Sequence, residues 1–203
     1  MNSSGKTTLF LATGNAHKMG EIQEILRELP LIWGSTKQYP DVAEPEESGT
    51  TYEQNAVIKA QFWAAKTNQW TLSDDSGLEV EALGGRPGIY SARYGGGEDP
   101  ISKLLHELAS FPESHNRKAR FVCSVCLCSP SGIVKCSTGI LDGVIAYQRA
   151  GSGGFGYDPI FIPEGKNGLH LSQVSAEEKN LISHRGRALQ WILPVLKTTL
   201  FPQ

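Results

Sequence analysis

Apolar positions recur along this chain with two different periods, and the two alternate. Between Thr7 and Thr13, Leu9, Phe10, Leu11 and Ala12 form a nearly continuous run, the pattern of a strand covered on both faces. From His17 to Leu29, Ile22, Ile25, Leu26 and Leu29 fall at i, i+3, i+4 and i+7, which is one stripe of a helix, and Pro30 ends it. A polar, acidic stretch from Asp41 to Gly49 leads to a second predicted helix over Thr51 to Asn68, with Thr51 and Gln54 spaced as a capping box. Trp70 to Ser73 predicts a strand that ends at Asp74-Asp75-Ser76-Gly77. Beyond it, Leu78, Val80 and Ala82 alternate with Glu79 and Glu81 in the period of a strand with one wet face.

The second half reads the same way. Gly84 to Gly88 is a turn, and Asp99-Pro100 is an N-cap followed by proline at the first helical position. Ile101, Leu104, Leu105 and Leu108 supply that helix's stripe. Arg120 to Cys128 and Ile133 to Thr138 predict two strands joined by a hairpin at Ser129 to Gly132, with a third over Ile140 to Ala146. A glycine-rich loop, Gly151 to Gly156, precedes a short strand at Ile160 to Ile162. Ser175 and Glu178 cap a short helix, and a last helix runs from Ser183 toward Leu196, with Pro194 bending or ending it. Helices interleave with strands at both ends and the middle is hairpin-like, so the pattern predicts an α/β protein with a mixed sheet.

Composition narrows the function. With 203 residues, 39% of them hydrophobic and 20% charged, the chain is globular, has no internal repeat or linker-like stretch, and reads as a single domain from residue 1 to 203. Nineteen Lys and Arg against 21 Asp and Glu leave a net charge of −2, without the basic excess of a protein that coats nucleic acid. Any bound anion must be held by locally placed cations. No apolar run approaches the ~18 residues of a membrane span, and MNSSGKTT lacks a signal-peptide core, so the expected compartment is the cytoplasm. There, Cys123, Cys126, Cys128 and Cys136 are expected as free, buried structural thiols. Cys123 and Cys126 stand three apart on a strand and should face opposite ways, which argues against a zinc site.

Two motifs mislead. Gly5-Lys6-Thr7 resembles the end of a phosphate-binding P-loop but lacks the earlier glycine and the preceding strand. Gly151 to Gly156 spells G-x-G-x-x-G, yet Tyr157-Asp158-Pro159 follows where a dinucleotide fingerprint must open a helix. The glycines still expose backbone N–H groups at little steric cost.

Other residues carry chemistry. Thr13-Gly14-Asn15-Ala16-His17-Lys18 joins a strand end to a helix start, where outward N–H groups and a lysine favour an anion. Glu46-Glu47 and Asp74-Asp75 are two acidic pairs, of the oxygen-ligand type that suits Mg²⁺. Lys59, Lys179, Arg185 and Arg187 are candidate phosphate or base donors; Lys59 shares a helix face with Asn55.

Taken together, these segments resemble the inosine/xanthosine triphosphate pyrophosphatase family. The resemblance rests on Thr13-Gly14-Asn15 with Lys18 and Glu21, on Asn55-Ala56 with Lys59, and on Asp74-Asp75-Ser76-Gly77-Leu78. It continues through Leu83-Gly84-Gly85, Pro87-Gly88 and Tyr90-Ser91-Ala92-Arg93-Tyr94. Its last segments are Gly153 to Pro159, Glu178-Lys179-Asn180 and Ser183-His184-Arg185-Gly186, all in family order over nearly the whole chain. The first eight residues look like an unmatched extension, and Trp191 to Gln203 carries no motif.

The resemblance implies an elongated α/β fold of two lobes around a cleft, a homodimer, and Mg²⁺-dependent hydrolysis of non-standard purine nucleoside triphosphates to the monophosphate and pyrophosphate. In that reading Thr13 to Lys18 and Lys59 bind the triphosphate. Asp75 is general base and metal ligand, and Glu47 is the second metal ligand, with Glu46 as its alternative. Ser76, Phe155, Gly156, Tyr157, Asp158, Lys179, His184 and Arg185 contact the nucleotide, with Phe155 or Tyr157 as an aromatic wall for the base. A nucleotide-binding regulatory protein that holds the triphosphate uncleaved is the competing expectation.

Overall fold

The computed structural model describes residues 7–111 and 117–202. The expected extension therefore lies outside the described residues up to position 6, as does all of the P-loop decoy but Thr7. Thr7 and Thr8 already belong to the first strand. The elements are β1 (Thr7–Leu11), α1 (Ala16–Ile25), β2 (Leu31–Ser35), α2 (Tyr52–Thr67), β3 (Trp70–Val80), α3 (Pro100–Leu108), β4 (Lys118–Ser129), β5 (Gly132–Ile145), β6 (Phe161–Pro163), α4 (Ala176–Ile182) and α5 (His184–Leu200), with several one-turn 3₁₀ segments between them. The strands form one six-stranded sheet in the order β2-β1-β3-β4-β5-β6. β1 pairs in parallel with β2 and β3, and β5 pairs antiparallel with β6, so the sheet is mixed and open, as the pattern predicts.

The chain divides into two compact units. The first comprises Met1–Asp75, Cys123–Gly139 and Arg185–Gln203; the second comprises Ser76–Val122 and Ile140–His184. In the first, Leu9, Leu11, Leu72, Cys123, Val125 and Leu127 pack with Ile22 and Leu26 of α1 and with Ala188, Leu189, Ile192 and Leu196 of α5. On the opposite sheet face Ala56, Ala60 and Ala64 of α2 lie against Cys126 and Cys128, and Trp63 packs with Phe10 and Ala12. Cys123 and Cys126 thus belong to separate cores, as their spacing requires. The second unit has its own core, in which Ile101, Leu104 and Leu108 of α3 meet Leu78, Val80, Phe121, Ile145 and Phe161.

Five expectations are corrected, and one further strand appears: β2, with the short apolar run Leu31-Ile32-Trp33, is a half-buried edge strand paired with β1, from Thr7↔Leu31 to Leu11↔Ser35. α1 closes at Ile25, short of the expected Leu29. β3 does not stop at Asp74; it continues unbroken from Trp70 to Val80, because the buried carboxylates within it are met by cations from elsewhere in the chain. The two strands expected around residue 139 are one, β5. Pro194 does not end α5, which runs on to Leu200; Pro194 and Gln190, whose carbonyl loses its helical donor, both face solvent, where water can serve that oxygen. Finally, Cys126 and Cys136 are joined in a disulfide, and only Cys123 and Cys128 are free. Their positions on neighbouring strands bring the two sulfurs within bonding reach.

Candidate active site

The turn between β1 and α1 is built by Asn15. As N-cap of α1, its Oδ1 accepts from the N–H groups of His17 at 2.9 Å and Lys18 at 3.2 Å, and its own N–H donates to Thr13 Oγ1. Two of the N–H groups expected to point at an anion are therefore already capped. Gly14, Asn15, Ala16 and His17 remain exposed. Lys18 turns its ammonium to Asp74, 3.0 Å away.

Asp74 and Asp75 stand on β3 just past its last paired position with β1, Leu11↔Leu72. Their side chains alternate in direction, as strand neighbours must. Asp74, 1% exposed, accepts from Arg185 Nη2 at 3.1 Å as well as from Lys18. Arg185, itself 1% exposed, is also bonded through Nη1 to Glu21 on α1. Burial would push the Asp74 carboxyl up, but Lys18, Arg185 and Lys59 outweigh it and hold the group well below the usual carboxylate range.

Asp75 is treated differently. Asn55 Nδ2 donates to its Oδ2 at 3.2 Å, and Lys59 Nζ stands 3.6 Å from its Oδ1. Burial raises the Asp75 pKa, and Glu47 adds to the rise against the opposing pull of Lys59 and Lys18. Lys59, 9% exposed, reaches Glu47 Oε1 at 2.7 Å. Burial would lower its pKa, but Asp75, Asp74 and Glu47 together raise it, so the ammonium stays charged.

Glu47 is half-buried whereas Glu46 is exposed, which favours Glu47 of the two. The loop carrying Glu47 is pinned to α2 where Gly49 N donates to Asn55 Oδ1 at 2.9 Å. A Cβ at Gly49 would lie 2.6 Å from that oxygen, so only glycine allows the approach.

Three cations, Lys18, Lys59 and Arg185, thus face four carboxylates, Glu21, Glu47, Asp74 and Asp75, all within the first unit. The cluster is one charge negative. Among the described residues no group of three or more His, Cys, Asp or Glu side chains is arranged around a common point. A donor set of two carboxylates, Glu47 and Asp75, with an ammonium already lodged against both, nevertheless fits Mg²⁺, which takes one or two carboxylates and completes its shell with water and phosphate oxygens.

The second unit holds the other candidates. Gly154 has φ +70°, and a Cβ there would meet Asp158 Oδ2 at 2.1 Å. The same Oδ2 accepts from Phe155 N at 2.7 Å and from Lys179 Nζ at 2.6 Å. Asp158 and Lys179 are 2% and 6% exposed, and the Lys179 ammonium lies 4.7 Å from the centre of the half-exposed Phe155 ring. Tyr157 instead belongs to the core, its hydroxyl donating to Ser91 O at 3.1 Å, so Phe155 is the accessible aromatic face of the two. His184 stacks on Phe121, with ring centres 4.7 Å apart. Ser76 is half-buried and Gly156 is exposed.

Three residues that the sequence points to without giving them these partners are central here. Asn55 joins the Glu47 loop to Asp75, Asp74 joins Lys18 to Arg185, and Glu21 secures Arg185. The signal for Asn55 is its place one turn before Lys59; the pairing of Asp74 and Glu21 with Arg185 leaves none, because that partner lies 111 and 164 positions away.

Residues 9–195 match the model of the Ham1 family. A dITP/XTP pyrophosphatase of Geobacter sulfurreducens is 47% identical over 187 residues, covering 90% of this chain and 93% of its own. One of Nitratidesulfovibrio vulgaris is 43% identical over 198 residues, covering 93% and 95%. Among solved structures, a HAM1 protein from Coxiella burnetii superimposes with a TM-score of 0.83 at 36% identity, over 94% of this chain and 98% of its own. A nucleoside-triphosphatase, or dITP/XTP pyrophosphatase, from Mycobacterium abscessus does so with a TM-score of 0.74 at 38% identity, over 92% and 99%.

Proposed function

The chain belongs to the Ham1 family, and from that premise we propose that it is a Mg²⁺-dependent pyrophosphatase of non-standard purine nucleoside triphosphates such as those of inosine, deoxyinosine and xanthosine. The observation that carries the reading is the charge arrangement around β3: two adjacent aspartates with opposed pKa shifts, flanked by Lys18 and Lys59.

A triphosphate brings close to four negative charges, and a chain of net charge −2 holds it only through local cations. Lys18 and Lys59 are those cations. Water attacks the α-phosphorus, the bond to the β-phosphate breaks, and the negative charge that builds on departing pyrophosphate is met by the two ammonium groups. Asp75, with its pKa raised, is the stronger base of the acidic pair and takes the water's proton. Asp74 stays ionised and anchors Lys18 rather than reacting. Mg²⁺, held by Glu47 and Asp75, would supply neutralisation of the phosphate charge.

Phe155, with the Lys179 ammonium against its ring and Asp158 beneath, offers a fixed aromatic face for a purine. Hypoxanthine and xanthine present a carbonyl at position 6, where adenine presents an amino donor. A donor aimed there rejects adenine by leaving donor facing donor, a mismatch worth as much as ~10⁴. Base discrimination is assigned to His184 or Arg185, the neighbouring donors that open α5. A homodimer comes with the resemblance, and sedimentation of the purified chain tests it. Pyrophosphate release from inosine triphosphate, with and without Mg²⁺, tests the activity.

A further inference from the structure

The two carboxylates assigned to the divalent ion already share a cation. Lys59 Nζ stands 2.7 Å from Glu47 Oε1 and 3.6 Å from Asp75 Oδ1, at the buried end of a side chain on α2. Asp75 divides its oxygens: Oδ2 is taken by Asn55 Nδ2, and Oδ1 is the one that faces Lys59. Asn55 cannot easily turn away, because its Oδ1 is bound by the Gly49 N–H of the Glu47 loop. An ion bridging the two carboxylates through Asp75 Oδ1 and Glu47 Oε1 would therefore stand where the ammonium now stands. Two positive charges cannot share that position, since both would be desolvated against the same pair of carboxylates.

We propose that Lys59 is the resident counter-ion of the Glu47–Asp75 pair and must leave it before a divalent ion can enter, moving instead onto the triphosphate. Lys59 then does two jobs in turn: without nucleotide it neutralises the acidic pair and keeps free metal out, and with nucleotide it gives its charge to the phosphates and uncovers the carboxylates. The chain would take its metal together with the triphosphate rather than ahead of it. This rests on the reading of Glu47 and Asp75 as the metal carboxylates.

The test is Mn²⁺ binding to the nucleotide-free full chain, read from the electron paramagnetic resonance signal of unbound Mn²⁺. Lys59→Met keeps the aliphatic stem and removes the charge, and should bind Mn²⁺ at least ~10-fold more tightly than the unaltered chain, while Lys59→Arg should stay as weak. Lys59→Gln makes the same comparison should the Met variant fail to fold. Equal or weaker Mn²⁺ binding by a folded charge-free variant overturns the exchange; if the unaltered chain still releases pyrophosphate from inosine triphosphate only with Mg²⁺, the functional reading stands without it. Adding Glu47→Gln to Lys59→Met should abolish the gain. An undiminished gain would overturn Glu47 as a ligand, and the exchange with it.

Discussion

Asp74 and Asp75 are neighbours of one residue type whose surroundings drive them apart, and each makes a separate prediction. Asp75→Asn keeps the shape and the contact with Asn55 but cannot accept a proton. Turnover should fall roughly 10²–10⁴-fold, the usual worth of a general base, while inosine triphosphate still binds by calorimetry; near-normal turnover would remove Asp75 from the role. Because burial and Glu47 raise the Asp75 pKa, the acid limb of kcat/KM should lie above the value for a free aspartate, with activity lost as pH falls through it. An acid limb at or below the value for a free aspartate would contradict this.

Asp74 works in the opposite sense. Its folded pKa lies below the unfolded one, so its stabilising effect is complete above about pH 4 and is lost as pH drops further. Asp74→Asn removes the buried carboxylate from Arg185 and Lys18, and breaking a buried pair costs on the order of 3 kcal/mol. Chemical denaturation should show that gap unchanged between pH 7 and 5 and narrowing below pH 4. A gap that widens in acid would refute the sign. At the same scale, His184→Ala should narrow the preference for inosine over adenosine triphosphate, and an unchanged ratio of kcat/KM would clear His184 of reading the base.

Among the elements, α2 organises the acidic pair from one face: Asn55 and Lys59 stand one turn apart, and Thr51 caps the helix at Gln54 N. Gly49→Ala should force the Glu47 loop away from Asn55 and lower turnover with little change in far-ultraviolet circular dichroism; full activity would show that the close approach is dispensable. Helices α1, α2 and α3 are legible because the stripes of α1 and α3 and the caps of α2 and α3 are local. The continuity of β3 was not, since a strand through Asp74-Asp75 is stable only with Lys18 and Arg185 opposite, and pairing across so many positions leaves no periodic trace. β2 was hidden for a related reason: an edge strand takes its register from its neighbour rather than from its own alternation. The resemblance singles out Lys18, Lys59 and Asp75, but not the network that orients them.

At the scale of the whole molecule, the near-neutral charge is informative because the cations are local. A chain of net charge −2 that binds a tetra-anion should do so with a salt dependence set by local cations, Lys18 and Lys59 among them. Lys18→Ala should therefore weaken binding of inosine, xanthosine and adenosine triphosphates by the same factor, and a base-dependent loss would place Lys18 elsewhere.

The account turns on which bond is broken. Hydrolysis of inosine triphosphate with Mg²⁺ in ¹⁸O-labelled water should yield one equivalent each of inosine monophosphate and pyrophosphate, with the label on the monophosphate. Release of orthophosphate, label on the pyrophosphate, or a triphosphate bound but returned intact would contradict it.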